Sequence, residues 1–174
     1  MDTQSPDIHP LAARVVAVCV SAGGIPNRPV KESYVDARGL EGDFHAHEKH
    51  NRPDRAISIF DWEILEDLVT EGYSLRPGTA GENLTVRGLQ VQQLPPGELL
   101  EVGNVLLRLE QPRKPCYVLD EIDPRLKEVI VCRCGYMASV LRPGRICPGM
   151  PITRVVRRST GWLMPVLLDA QTSA

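Results

Sequence analysis

The segment at residues 111–117 has the sequence Gln-Pro-Arg-Lys-Pro-Cys-Tyr and places a thiol close to two cations. Positive charge near a cysteine favours the thiolate, which is the form that acts as a nucleophile or ligates a soft metal. The two prolines stiffen the segment that presents the thiol. A lone cysteine is usually a buried packing residue, but Arg113 and Lys114 make this an unusual place for one. We therefore predict that Cys116 is functional.

A second group of reactive side chains lies at residues 43–50, with the sequence Asp-Phe-His-Ala-His-Glu-Lys-His. His47 and His50 are one residue too close for the zinc-protease motif, in which two histidines four apart share one helix face. The flanking glycines and proline predict a loop, where ligand geometry is not fixed in advance. We expect polar loop residues here, of which one or two contact an anionic ligand, rather than a metal site.

The five cysteines do not form a recognisable zinc motif. Structural zinc sites need four ligands, usually as two pairs with two to four residues inside each pair. Cys132 and Cys134 are separated by one residue, and Cys147 has no near partner. Cys19, inside an apolar run, is expected to be a buried packing residue. An odd cysteine number without a secretory signal predicts reduced thiols in the cytoplasm.

A glycine-rich segment covers residues 78–85, Gly-Thr-Ala-Gly-Glu-Asn-Leu-Thr. Its two glycines allow the backbone to approach a ligand closely, and Glu82 and Asn83 could grip a polar group or brace the turn. The spacing matches neither the phosphate-binding loop nor the dinucleotide-binding glycine motif. Taken alone, this segment is weak evidence for a function.

The elements that must position these residues are short. Strands are predicted at residues 15–20, 56–60, 136–141 and 152–156, with several more between 84 and 109. Asp61 is expected to cap a helix that ends near Gly72, and Asp123-Pro124 to begin a second helix. The end of that second helix is ambiguous, since residues 129–131 could also form a strand. The tail is expected to fold back as a short helix at 162–168.

Composition indicates one mainly β domain. The chain has 174 residues, 43% of them hydrophobic, with 14 glycines and 15 prolines, which favours many short elements. The formal net charge of −2 gives no reason to expect nucleic acid or a membrane surface as a partner. No apolar run approaches the roughly 20 residues that a membrane-spanning helix needs.

Five sequence segments occur in an order that is typical of one protein family. They are Gly42-Asp43-x-His45; residues 55–61; Pro77-Gly78-x-x-Gly81-Glu82-Asn83-Leu84-Thr85-x-x-Gly88-Leu89; Pro112-Arg113-x-Pro115-Cys116; and Gly135-Tyr136 with the glycines that follow it, Gly144 and Gly149. This series resembles a stand-alone MOSC domain, a family named for the C-terminal domain of molybdenum cofactor sulfurases. The resemblance covers about residues 12–157.

The resemblance implies a mainly β, barrel-like fold with two or three peripheral helices. Residues 12–157 would form the single domain, and residues 158–174 an extension that packs on it or is partly flexible. Family members either carry sulfur as a cysteine persulfide or bind molybdenum cofactor, and some reduce N-hydroxylated compounds. The family cysteine falls on Cys116, which would be the catalytic residue and the metal ligand.

Other residues would hold the cofactor. Arginine forks suit its phosphate, and glycine-lined loops let backbone N–H groups approach the pterin. The predicted cofactor-binding residues are Asp43, His45, Arg55, Gly81, Glu82, Asn83, Arg113, Arg133, Gly135 and Tyr136. We further expect Asp43 and His45 to line the same cavity as Cys116, and neither to bind the metal. Neither zinc nor pyridoxal phosphate is expected, so the chain would not extract sulfur from free cysteine itself.

Three hypotheses remain open from the sequence. The first is a molybdenum-cofactor oxidoreductase that acts on N-hydroxylated small molecules and receives electrons from a donor protein. The second is a sulfur-carrier or binding module that holds a Cys116 persulfide, or the cofactor, for a partner molybdoenzyme. The third is a small zinc-binding structural protein. Cys134 could resolve an oxidised Cys116 or simply pack.

Overall fold

The structure is a computed structural model that describes residues 12–44, 52–157 and 163–166. Twelve short strands and two helices make up this part of the chain. The strands are β1 (Arg14–Val20), β2 (Arg28–Val30), β3 (Ser33–Asp36), β4 (Gly39–Leu40), β5 (Ile57–Asp61), β6 (Leu84–Arg87), β7 (Leu99–Val102), β8 (Val105–Pro112), β9 (Tyr136–Arg142), β10 (Gly144–Ile146), β11 (Ile152–Arg157) and β12 (Leu163–Pro165). The helices are α1 (Trp62–Thr70) and α2 (Leu126–Val129).

Most of the strands belong to one mixed sheet. Its nine strands lie in the order β12-β11-β7-β8-β9-β5-β6-β1-β2, and a smaller sheet has the order β10-β3-β4. All pairs in the large sheet are antiparallel except β5 with β6. The parallel pair is possible because α1 and the glycine-rich loop form a crossover between the two strands.

The alternation of side chains along β5 separates two cores. Ile57 and Ile59 point into the main core, which is built of aliphatic side chains from most of the strands. Phe60 points the other way, into a smaller cluster with side chains from α1 and α2. Ser58 shares that second face with Phe60, so the sheet has one aliphatic face and one face that mixes apolar and polar groups.

The mainly β prediction is confirmed, and closure into a barrel is not. In the described residues, β2 and β12 are the outermost strands of the sheet and do not pair with each other. The sheet does curl, because the backbone of Val15 exchanges hydrogen bonds with Gly149 and Met150. Only an isolated bridge from Arg14 to Pro151 forms there, and an isolated bridge is not a ladder.

Some local predictions were wrong. Leu163–Pro165 is a strand paired with β11 rather than part of a helix, because the sheet edge offers it backbone partners. The predicted second helix is present, but it begins at Leu126 rather than at Asp123-Pro124 and is only four residues long; residues 130 and 131 form a turn, so the strand that residues 129–131 could also have formed is absent. Asp61 directly precedes α1, but its carboxylate makes no cap hydrogen bond to the helix. No helix among the described residues is long and apolar enough to cross a membrane.

Candidate functional site

Cys116 lies in the loop that leaves β8 and begins a 3₁₀ turn at Tyr117–Glu121. Its carbonyl accepts the N–H of Leu119 at 3.1 Å, which fixes the start of the turn. The thiol residue is half-buried, in contrast to Cys19, which is fully buried in β1. The loop is anchored at its other end by the Arg113 N–H, which donates to the Gly135 carbonyl at 2.8 Å. Cys116 is therefore held near the end of β8 and still partly open to solvent.

The guanidinium of Arg113 reaches across to the glycine-rich loop. Its Nη2 donates to the Ala80 carbonyl at 2.5 Å. Its Nη1 is buried and has no hydrogen-bond partner among the described residues. Gly81 makes room for this arrangement, because a Cβ there would lie 3.2 Å from Nη2 and 2.7 Å from Ile25 Cγ2. Arg113 thus brings the Cys116 loop and the glycine-rich loop together, with one donor left over.

Glu82 braces the glycine-rich loop from inside. Its Oε1 accepts the Gly78 N–H at 2.7 Å and the Thr85 hydroxyl at 2.9 Å. Its Oε2 is buried without a partner among the described residues. Burial raises the pKa of Glu82, and the positive charge of Arg113 opposes that shift. A buried carboxyl and a partly buried guanidinium therefore lie within electrostatic reach, each with one buried polar atom unpaired among the described residues.

Asn83 links the same loop to Asp43. Its Oδ1 accepts the Ser58 N–H at 2.9 Å, and its Nδ2 donates to Asp43 Oδ2 at 2.9 Å. Asp43 Oδ1 in turn accepts the Ser21 N–H at 2.6 Å. Asp43 is therefore fixed against the segment 80–83 that Arg113 also contacts. His45 lies outside the described residues, so its predicted place in the cavity stays a prediction.

Cys134 is the second thiol of this region. It packs among the apolar side chains of the smaller core, with Phe60 and Leu119 in the same cluster. Burial raises its pKa most; Arg113 lowers it, and Glu82 and Cys116 raise it further. Burial raises the pKa of the Cys19 thiol to about 12, and the negative charge of Glu82 adds to that shift.

Three predicted cofactor residues have partners of their own. Arg133 forms a fork with Glu71, at 2.6 and 2.7 Å. The Tyr136 hydroxyl donates to the Leu94 carbonyl at 2.9 Å, with the ring buried in the main core. A Cβ at Gly135 would overlap the Ile59 carbonyl, so glycine allows two backbones to touch there. The structure thus accounts for all three residues structurally, and their contact with a cofactor stays a prediction.

Arg55 ends the 3₁₀ turn Pro53–Arg55, immediately before β5. Its Nε is buried and has no hydrogen-bond partner among the described residues. It shares this property with Arg113, although no hydrogen bond or ion pair in the described part of the chain joins it to the Cys116 loop. Its role in holding an anion also stays a prediction.

The comparison with protein families decides the identity of the fold. A model described as the MOSC domain matches residues 46–153, which is more than half of the chain. The chain belongs to the MOSC domain family. The stretch matched includes Cys116, Arg113 and the whole glycine-rich loop.

Curated MOSC relatives are about one third identical to this chain. YiiM of Escherichia coli is 31% identical over 130 residues, which are 70% of this chain and 58% of YiiM. The uncharacterised YflK of Bacillus subtilis is 30% identical, over 79% of this chain and 66% of its own. A protein named reductase from Gibberella moniliformis is 31% identical, over 74% of this chain. The chain spans 25% of that reductase and 58% of YiiM, so it matches only part of these relatives.

Solved structures agree with the MOSC assignment. YiiM from Geobacillus stearothermophilus has a TM-score of 0.69 and 26% identity, covering 87% of this chain and 79% of its own. YiiM from Escherichia coli has a TM-score of 0.65, also at 26% identity, and covers 84% of this chain and 71% of its own. YuaD of Bacillus subtilis, with a TM-score of 0.69 and 20% identity, supports the fold alone.

Sequence reasoning missed two parts of this MOSC site. Ser58 interrupts an apolar strand between Ile57 and Ile59, and a polar residue at that position was a usable signal. Gln92, whose Oε1 accepts the Gly135 N–H at 2.8 Å, had no local signal because it is one of two adjacent glutamines in a turn. No group of three or more metal-ligating His, Cys, Asp or Glu side chains occurs within the described ranges.

Proposed function

We propose that this MOSC protein binds molybdenum cofactor, with Cys116 as a metal ligand, and reduces N-hydroxylated small molecules. The observation that carries the proposal is the pairing of a half-buried thiol with an unpartnered, buried Nη1 of Arg113 three residues away. A soft thiolate suits oxidised molybdenum, and a free guanidinium donor suits a phosphate oxygen. A relative of this chain is also named a reductase.

The donor set fits such a cofactor. Cys116 would ligate the metal through sulfur, and Arg113 would hold the phosphate while keeping its bond to Ala80. Gly81 would keep the loop backbone accessible, since even a methyl group there would crowd Ile25. Asp43 and Asn83 would present fixed polar atoms beside that loop. When bound, the cofactor supplies the two-electron redox chemistry of molybdenum.

The reaction balances with one named co-reactant. An N-hydroxylated compound takes up two electrons and two protons, its N–O bond breaks, and the amine-type product and water leave. A redox donor protein would supply the electrons and water the protons. The half-exposed position of Cys116 allows a small molecule to approach the thiol side of the site.

The alternative function is sulfur transfer from a Cys116 persulfide. The observation that favours it is the half-buried position of Cys116, which leaves the thiol open to an acceptor. A thiolate of the partner enzyme could attack the outer sulfur of the persulfide, so that the S–S bond breaks, the partner gains the sulfur as its own persulfide and Cys116 leaves as a thiolate. This chemistry needs no metal.

Metal and sulfur analysis separates the two functions. The full chain, purified from a host that makes molybdenum cofactor, should contain molybdenum and pterin near one per chain. Cys116→Ser should lose them, because a serine oxygen is a much harder ligand. Cys147→Ser is the matched control, since Cys147 is also half-buried, and it should retain the cofactor. Labile sulfane sulfur without molybdenum would favour the carrier function, and zinc alone would refute both.

A further inference from the structure

The Gln92 side chain joins two chain segments that lie next to the Cys116 loop. Gln92, in the 3₁₀ turn Val91–Gln93, accepts the Gly135 N–H on its Oε1 at 2.8 Å. The Gly135 carbonyl accepts the Arg113 N–H at 2.8 Å. The two hydrogen bonds therefore hold one residue from opposite sides, and Cys116 follows Arg113 in the same stiff loop.

Both turns contain strained backbone. Gln90 has a φ of 51° and Cys132 a φ of 63°, and they are the two non-glycine residues with positive φ in the described ranges. Side chains with a Cβ rarely adopt this region, and they stay there only when surrounding contacts hold them. The Gln92–Gly135 hydrogen bond joins the segments that contain these two residues.

The turn that contains Gln92 is itself held by the buried Asp61 carboxylate. The Asp61 carboxylate, which is 2% exposed, accepts the Val91 N–H at 3.0 Å and the Gln92 N–H at 3.4 Å. Gly135 packs closely against β5, since a Cβ on it would overlap the Ile59 carbonyl oxygen. The position of Arg113 thus depends on a connected series of buried and partly buried contacts that begins at Asp61 and passes through Gln92.

We propose that Gln92 is a positioning residue for Cys116, which it holds in place through Gly135 and the Arg113 backbone. The inference rests on the proposed function only in taking Cys116 as the working residue. Gln92 itself touches neither the thiol nor, by this proposal, a cofactor or substrate. Its contribution is the hydrogen-bond acceptor at the end of its side chain.

The test is the alkylation rate of Cys116 by iodoacetamide, followed by peptide mass mapping. The full chain is made in a host without molybdenum cofactor, so that the thiol is free. Gln92→Met keeps the side-chain length and removes the acceptor, whereas Gln92→Glu keeps an acceptor. Gln93→Met is the matched control, because Gln93 is exposed and its side chain makes no hydrogen bond in the described part of the chain.

Gln92→Met should speed alkylation of Cys116 by about three- to tenfold, the range that one net hydrogen bond represents. Gln92→Glu and Gln93→Met should stay within about twofold of the wild type. Cys19 serves as an internal monitor, because it is fully buried and should react only on global unfolding. If Gln92→Met makes Cys19 react as well, Gln92→Asn replaces it, because this milder change only withdraws the acceptor by one methylene. Gln92→Asn should then speed alkylation of Cys116 while Cys19 stays protected.

An unchanged Cys116 rate in the acceptor-free variant, with Cys19 protected, would overturn the proposal. The proposal would also be overturned if Gln92→Glu, which keeps an acceptor, raised the alkylation rate of Cys116 as much as Gln92→Met does. This outcome is separate from the proposed function, because molybdenum content of the wild type does not enter the alkylation experiment. A wild type without molybdenum would refute the cofactor proposal. The positioning role of Gln92 would still be decided by the alkylation rates of Cys116.

Discussion

The two faces of the large sheet are stabilised in different ways. On one face, Ile57 and Ile59 are buried among aliphatic side chains from strands across the sheet. On the other, Ser58 is buried against Asn83, which is tied in turn to Asp43. Aliphatic packing depends on volume and tolerates exchange among similar shapes. A buried polar network depends on particular partners, because an unsatisfied group costs free energy.

The difference shows where the chain departs from simple packing. Five buried side-chain atoms lack a hydrogen-bond partner among the described residues, and two of them, Arg113 Nη1 and Glu82 Oε2, belong to the two loops of the candidate site; the other three are on Arg55, Trp62 and Glu63. An unpaired buried polar atom in a native protein calls for a ligand, a water molecule or a functional reason. The aliphatic face provides the rigid support, and the face with incomplete hydrogen bonding carries the candidate site.

Adjacent substitutions in β5 test this contrast most directly. Ile59→Ala should lower the free energy of unfolding by about 2–5 kcal/mol, since it leaves a cavity in the main core. Ser58→Ala should cost about 1–3 kcal/mol, since Asn83 loses the hydroxyl that both donates to its Oδ1 and accepts its N–H. Urea unfolding of both variants measures the difference. A smaller loss for Ile59→Ala than for Ser58→Ala would mean that the polar face supports the sheet.

Asp61 is the buried carboxylate at the end of β5, and it should make stability depend on pH. Burial raises its pKa from 3.8 to about 6, while the N–H groups of Val91 and Gln92 oppose the shift. The stabilisation that Asp61 contributes is therefore fully present below about pH 4 and is lost as the pH rises through about 6. The free energy of unfolding should fall by about 3 kcal/mol between pH 4 and 7 from this group.

Asp61→Asn removes the titrating group and keeps one acceptor for the turn. Urea unfolding at several pH values between 4 and 7 should give a flatter curve for this variant than for the wild type. Ionisation of other groups affects both proteins equally, so the difference between the two curves isolates Asp61. Parallel curves would show that Asp61 has the same pKa in the folded and unfolded chain.

The elements that alternation and turn residues define were predictable from sequence. The runs at 15–20 and 56–60 carry β-branched and apolar side chains with turn signals after them, and both are strands. Asp61 looked like a helix cap because it directly precedes Trp62. Its carboxylate instead binds a turn thirty residues later in the chain, and nothing local indicates that choice. Long-range partners of this kind override local capping preference.

The residues of the candidate site also divide into those with a local sequence signal and those whose partners are distant in the chain. Cys116 and Arg113 stood out because prolines and charges surround them in the sequence. The pairing of Arg133 with Glu71 was not predictable, since the two residues are far apart in the chain and meet only when α1 and the turn after α2 pack together. Gln92 likewise acquires its partner Gly135 only in the fold.

Arg113 should matter more for cofactor retention than for stability. Arg113→Ala removes the free Nη1 donor, and we expect cofactor retention to weaken roughly ten- to a hundredfold, as for loss of a charge-assisted hydrogen bond. Arg113→Lys should recover only part, because lysine cannot form the two-pronged contact. Molybdenum per chain after extended dialysis measures retention. Arg145→Ala, which removes an exposed arginine paired with Glu32, is the control. Equal retention in Arg113→Ala and wild type would remove Arg113 from the site.

Substitution of Arg133 should have the smallest effect on stability and on molybdenum content, and it tests how far the candidate site extends. Its guanidinium already forms a fork with Glu71 at a partly exposed position, and such pairs contribute about 1 kcal/mol or less. Arg133→Ala should therefore change the free energy of unfolding by about 1 kcal/mol and leave molybdenum content unchanged. A double-mutant cycle with Glu71→Ala isolates the pair, and its coupling energy should account for most of the loss. If Arg133→Ala instead loses molybdenum as steeply as Arg113→Ala, Arg133 exchanges Glu71 for the cofactor, and the site extends beyond the loops at 78–83 and 113–116.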